Sequence, residues 1–216
     1  MLTRYLLLFL YATLFIQCII PAAAAQMATT ELTKATLPTS IKYKGKFIDA
    51  FQYKDTLGRN IIVRSETGIF RTKADVDSGT NSAGVYAYRY TLKDDSAMLA
   101  WSMIDFVKQC ELDITANFVL NAFSVTDLDK DSIAEVWLVY QTSCRGDVSP
   151  NTMKIIMYEG DKKYRMTGLR KIQLSPSEVL GGKYKFDDSF LNGNAIFKNY
   201  AKELWKKNEA NQDDPL

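Results

Sequence analysis

Asp127, Asp129 and Asp131 alternate along the stretch TDLDKDSIAEVWLVY (126–140), and Glu135 follows four residues later. A hard cation such as calcium takes about six to eight oxygens, and a tight loop supplies them by turning alternate side chains inward. In such a loop Asp127, Asp129 and Asp131 fill positions one, three and five, Ile133 offers its main-chain carbonyl at seven, and Glu135 a carboxylate at nine. Three aspartates this close repel one another, so a bound cation accounts for their grouping. The same residues also suit an Asp-rich turn that caps two strands through hydrogen bonds to its own backbone. An EF-hand is excluded, because Leu138 stands at the twelfth position, where a bidentate acid belongs.

Other chemistry is sparse. The chain contains no histidine, which removes the Ser-His-Asp triad, most zinc sites and the commonest general base. Catalysis would rest on carboxylates, tyrosine or lysine. Asp105, Glu111 and Asp113 are the nearest to a paired-acid arrangement, but no spacing selects two of them. A non-catalytic protein is therefore expected, with a histidine-free glycan-processing enzyme as the alternative. In GVYAYRYTL the alternation places Tyr86, Tyr88 and Tyr90 on one strand face; such a face stacks on sugars or other ligands, or lies half-buried in a sheet. Arg145-Gly146-Asp147 and Gly181-Gly182 both read as turns.

The elements that must position these residues are mostly strands. Short runs rich in Val, Ile, Tyr and Phe recur between turn residues from Ile41 onward, the signature of antiparallel β structure. KFIDAFQY and NIIVRSE flank KDTLGR and predict a hairpin over Lys46–Glu66, and Glu159-Gly160-Asp161 predicts a second. Met98–Cys110 carries apolar residues at helical spacing, yet its β context favours a strand. Phe197, Tyr200, Ala201, Leu204 and Trp205 predict one helix over Asn194–Lys207 that docks an aromatic stripe on the sheet. The tail, residues 211–216, is expected to fray. One mainly β domain over residues 41–210 follows, antiparallel, with an incomplete propeller-like or sandwich sheet and one carboxyl-terminal helix.

Composition sets the setting. At 47% hydrophobic and 24% charged the chain can bury a core, and a formal charge of +2 gives no global attraction to nucleic acid. Arg4, the apolar run Tyr5–Ile20, Pro21 and the small residues Ala23 and Ala25 have the order of a secretory signal, residues 1–25. An uncleaved anchor is the rival reading; after cleavage no stable membrane span is expected. Cleavage would leave Cys110 and Cys144, which in an oxidising compartment predicts one disulfide, against two buried free thiols. The Thr/Ala-rich residues 26–40 show no period and read as a flexible tether.

The acidic loop followed at once by an apolar strand resembles the calcium loops of FG-GAP, integrin-type propeller repeats, with Ser132 where those loops usually carry glycine. On a wider scale, TDLDKDSIAEVWLVY, TSCRGDVSP, MKIIMYEGDKKYRMTG, GGKYKF and YAKELWKKN in that order resemble a family of exported bacterial surface polysaccharide biosynthesis proteins. That resemblance implies a periplasmic or cell-surface protein whose partners are a surface glycan or envelope biosynthesis proteins. It implies no reaction and no catalytic residues.

Overall fold

A computed structural model of the chain describes residues 26–94 and 96–210; the expected signal segment (1–25) and tail (211–216) lie outside them. Two antiparallel sheets make up most of the structure. The first runs in the order β1 (Thr30–Leu32), β2 (Lys46–Asp55), β3 (Gly58–Glu66), β4 (Asn81–Lys93), β5 (Ser96–Cys110), with the short helix α1 (Lys73–Ser78) between β3 and β4. The second contains β6 (Asp113–Phe118), β7 (Ser124–Thr126), β8 (Glu135–Arg145), β9 (Thr152–Glu159), β10 (Lys162–Leu169) and β13 (Tyr184–Phe186). Its order is β13-β10-β9-β8-β6, with β7 also pairing β8. A small hairpin, β11 (Ile172–Ser175) with β12 (Glu178–Leu180), precedes β13, and α2 (Asp188–Asn192) and α3 (Ala195–Asn208) follow it.

Period-two alternation explains the layering. In β8, Val136, Leu138 and Tyr140 face the first sheet, where they pack with Ile62, Val85, Ala87 and Met103. Trp137 and Val139 point the other way, onto Phe197, Ala201, Leu204 and Trp205 of α3. A strand covered on both faces has no polar side to show, which is why EVWLVY reads as one apolar run. The sandwich alternative is thus the arrangement found, and the helix forms within one residue of its expected limits, with Asn194 as its cap. Two shorter helices accompany it among the described residues. The first is capped by Thr72, whose side chain accepts from Asp75 N while Asp75 accepts from Thr72 N, a reciprocal cap.

Residues 26–40 depart from expectation. They are no tether: β1 pairs with β2, and Met27 N donates to Val125 O at 2.9 Å, fastening the segment to both sheets. Main-chain pairing of a three-residue edge strand leaves no periodic trace in sequence. Met98–Cys110 is extended within β5, paired to β4 along its length, so sheet pairing prevails over the local helical spacing.

The tyrosine face is also resolved. Tyr86, Tyr88 and Tyr90 are buried under Ile41, Leu37, Tyr43 and Phe47. Tyr90 OH hydrogen-bonds the Lys42 carbonyl, and Lys44 N donates to Tyr88 OH at 3.2 Å. These rings are core, the Tyr88 and Tyr90 hydroxyls bonded by the covering chain, and they present no open ligand face.

Candidate metal centre

The acidic loop is the connection between β7 and β8, whose ends meet at the pair Thr126↔Glu135. Closing that gap requires tight backbone, and Lys130 (φ 62°) and Ser132 (φ 69°) both take left-handed conformations. Ser132 therefore adopts the geometry glycine supplies at the equivalent position, at a cost of about 1–3 kcal/mol. Its neighbours hold it there: Thr56 N and Thr56 Oγ1 donate to the Ser132 carbonyl at 3.0 and 2.9 Å. Ala134 N donates to Asp55 Oδ2 at 3.2 Å, so the loop is fixed on the β2–β3 turn of the other sheet. Within the loop, Ile133 N donates to Asp131 Oδ1 at 2.7 Å and Ser132 N to Asp127 Oδ1 at 3.4 Å.

Carboxylate oxygens of Asp127, Asp129 and Glu135 lie within 4.8 Å of one another, and so do those of Asp129, Asp131 and Glu159. Asp129 belongs to both groups. Its Oδ1 is buried and accepts no hydrogen bond, although a carboxylate removed from water ordinarily finds a donor or a cation. Glu135 is fully buried. Thr126 Oγ1 donates to its Oε2 at 2.6 Å, Leu128 N donates at 3.0 Å, and Trp137 Nε1 donates to Thr126 Oγ1 at 2.8 Å. Burial chiefly pushes the Glu135 carboxyl up to about 7, with Asp129 and Asp127 adding to the rise against the hydrogen bonds. Burial likewise raises Glu159, assisted by Asp129 and Asp131.

Four of the five expected ligand residues, Asp127, Asp129, Asp131 and Glu135, are thus gathered through their carboxylates, while Ile133 engages the loop through its amide. Sequence reasoning missed Glu159. It arrives from β9, whose register sets Glu159 opposite Glu135, and its only local signal is a position just before the Gly160-Asp161 turn. The donor set is all oxygen and strongly anionic, with no nitrogen or sulfur ligand among the grouped residues. That chemistry fits a hard cation, calcium above zinc or copper.

The remaining candidates do not assemble into sites. Asp105 accepts from Tyr140 OH at 2.8 Å and pairs with Lys154, whereas Glu111 and Asp113 are exposed. Asp147 Oδ1 accepts from Ser149 N at 2.9 Å and Arg145 bonds the Ser149 carbonyl, so the chain bends at Gly146 and Asp147 directly after β8 ends at Arg145. The expected disulfide joins Cys110 to Cys144 with Cα atoms 5.6 Å apart. No family model, curated protein or solved structure matches the chain.

Proposed function

We propose that the Asp127–Glu135 loop holds a calcium ion that locks the β7–β8 connection, and that the protein is an exported, non-catalytic envelope component supporting surface polysaccharide production or display. The buried, unpartnered Asp129 Oδ1 between two groups of carboxylates carries the ion reading. A divalent cation offsets the mutual repulsion and draws Glu159 of β9 to the loop. Through the Thr56 and Asp55 bonds the same ion stiffens the contact between sheets. The disulfide supports an oxidising compartment. The resemblance of its ordered segments to the surface polysaccharide proteins is what supports the envelope role.

Melting the protein in calcium and in chelator, beside Asp129→Ala, tests the ion site. Calcium raises the melting temperature of the wild-type chain and leaves the variant unchanged, because binding to the native state alone stabilises it by mass action. Identical melting of the wild-type protein in both conditions would overturn the reading.

A further inference from the structure

A cleft of about 650 Å³ opens between β2 and β3 of the first sheet and the β6–β7 connection of the second, and none of the carboxylates of the metal centre lines it. Its volume lies in the range of small-molecule sites, roughly 300–1,000 Å³. Arg64 and Glu66 stand on the inward face of β3, the face that carries Ile62 into the core between the sheets. Packing for stability alone would fill this space with apolar side chains.

Polar groups of opposite kinds line it instead. Arg64 is only 5% exposed. Its guanidinium lies 4.8 and 5.0 Å from the Phe118 and Phe123 ring centres. Nε donates to Asp49 Oδ1 at 2.7 Å, and Nη2 bonds the other Asp49 oxygen. Nη1 is buried with no partner, and so is Asn117 Oδ1. One is a donor and the other an acceptor, each costly to leave unmade. Glu66 accepts from Phe118 N at 2.7 Å. Phe123 stacks on Phe51 with centroids 4.5 Å apart, giving the cleft an apolar wall. At its rim Leu120 is 85% exposed.

Charge narrows the ligand. Glu31, Asp49 and Glu66 face a single cation, Arg64, among the lining residues, and Asp49 already neutralises that cation. A carboxylate or phosphate ligand meets net repulsion there. An ammonium ligand has no lone pair for Arg64 Nη1. A neutral polyhydroxylated molecule both accepts and donates through each hydroxyl, and its C–H faces suit an aromatic wall. We infer that this cleft binds a neutral saccharide, with Arg64 and Asn117 turning their unpaired atoms toward its hydroxyls and Phe123 contacting a ring face. The inference goes beyond the ion site and stands without it.

Saturation-transfer NMR and calorimetric titration of the full chain with chitotriose, maltotriose and trigalacturonic acid test it. At least one neutral trisaccharide binds, Asn117→Ala and Phe123→Ala each weaken it about tenfold or more, and the acidic trisaccharide binds at least about tenfold more weakly. Leu120→Trp, at the exposed rim, obstructs entry without touching the core and replaces any variant that fails to fold. Absence of binding by both neutral sugars at about 10 mM, binding indifferent to the substitutions, or tighter binding of the acidic sugar would each overturn the inference. Repeating the titration in Asp129→Ala keeps the outcome separate from that of the ion site.

Discussion

Toward its carboxyl end, strand β8 is joined covalently through Cys144 to Cys110 of β5, whereas its first residue, Glu135, sits among carboxylates. Both ends of the strand are points where the second sheet is tied to the first. At the cysteine end the tie is independent of what is dissolved around the protein, provided the compartment keeps it oxidised. At the acidic end it consists of hydrogen bonds from Thr56 and to Asp55, beside a group of anions that repel one another. The first end fixes the fold; on the proposed ion reading, the second leaves it responsive to cations and protons.

Substituting both cysteines by serine has the largest expected effect. The bond spans 34 residues, so on the chain-entropy model its loss costs about 4 kcal/mol, read from denaturant unfolding. The calcium-dependent increment in stability survives in that variant; its disappearance would show that the two ends act as one device. Next, Glu159→Gln lowers calcium affinity about tenfold, or about 1.4 kcal/mol, in a calorimetric titration. Unchanged affinity would remove β9 from the site and confine it to the β7–β8 loop.

A smaller effect separates proton from ion. In chelator the folded protein holds the Glu135 proton up to about pH 7, against a reference value of 4.5. That group's contribution to apo stability is complete below the reference value and is lost as pH rises through about 7. Calcium requires the carboxylate, so the calcium increment in melting temperature grows between about pH 5.5 and about pH 8. An increment that shrinks over this interval would place Glu135 outside the ion's reach.

The same contrast separates what was legible in the sequence from what was not. Alternation revealed that Tyr86, Tyr88 and Tyr90 share a face, because the side-chain period is a local property of a strand. What covers that face is the irregular chain around Ile41–Phe47, which has no period, so burial could not be told from ligand binding. The disulfide was legible by elimination among few cysteines. Asp127, Asp129, Asp131 and Glu135 were legible because one short loop contains them. Glu159 was not, since only the β8–β9 register brings it to Glu135. The saccharide cleft lies furthest from sequence. Its main contacts, Arg64 with Asp49, Phe118 and Phe123, join residues from different strands and from both sheets.

Terbium luminescence reads the acidic loop itself. Trp137 is hydrogen-bonded through Thr126 to Glu135, which makes it a built-in sensitiser for a lanthanide held by the acidic loop. Tryptophan excitation of the terbium-loaded protein gives lanthanide emission that calcium displaces and that Asp129→Ala lacks. Emission absent from the wild-type chain, or equal in Asp129→Ala, would rule out an ion site and leave the loop as an acidic turn fastened only by its hydrogen bonds.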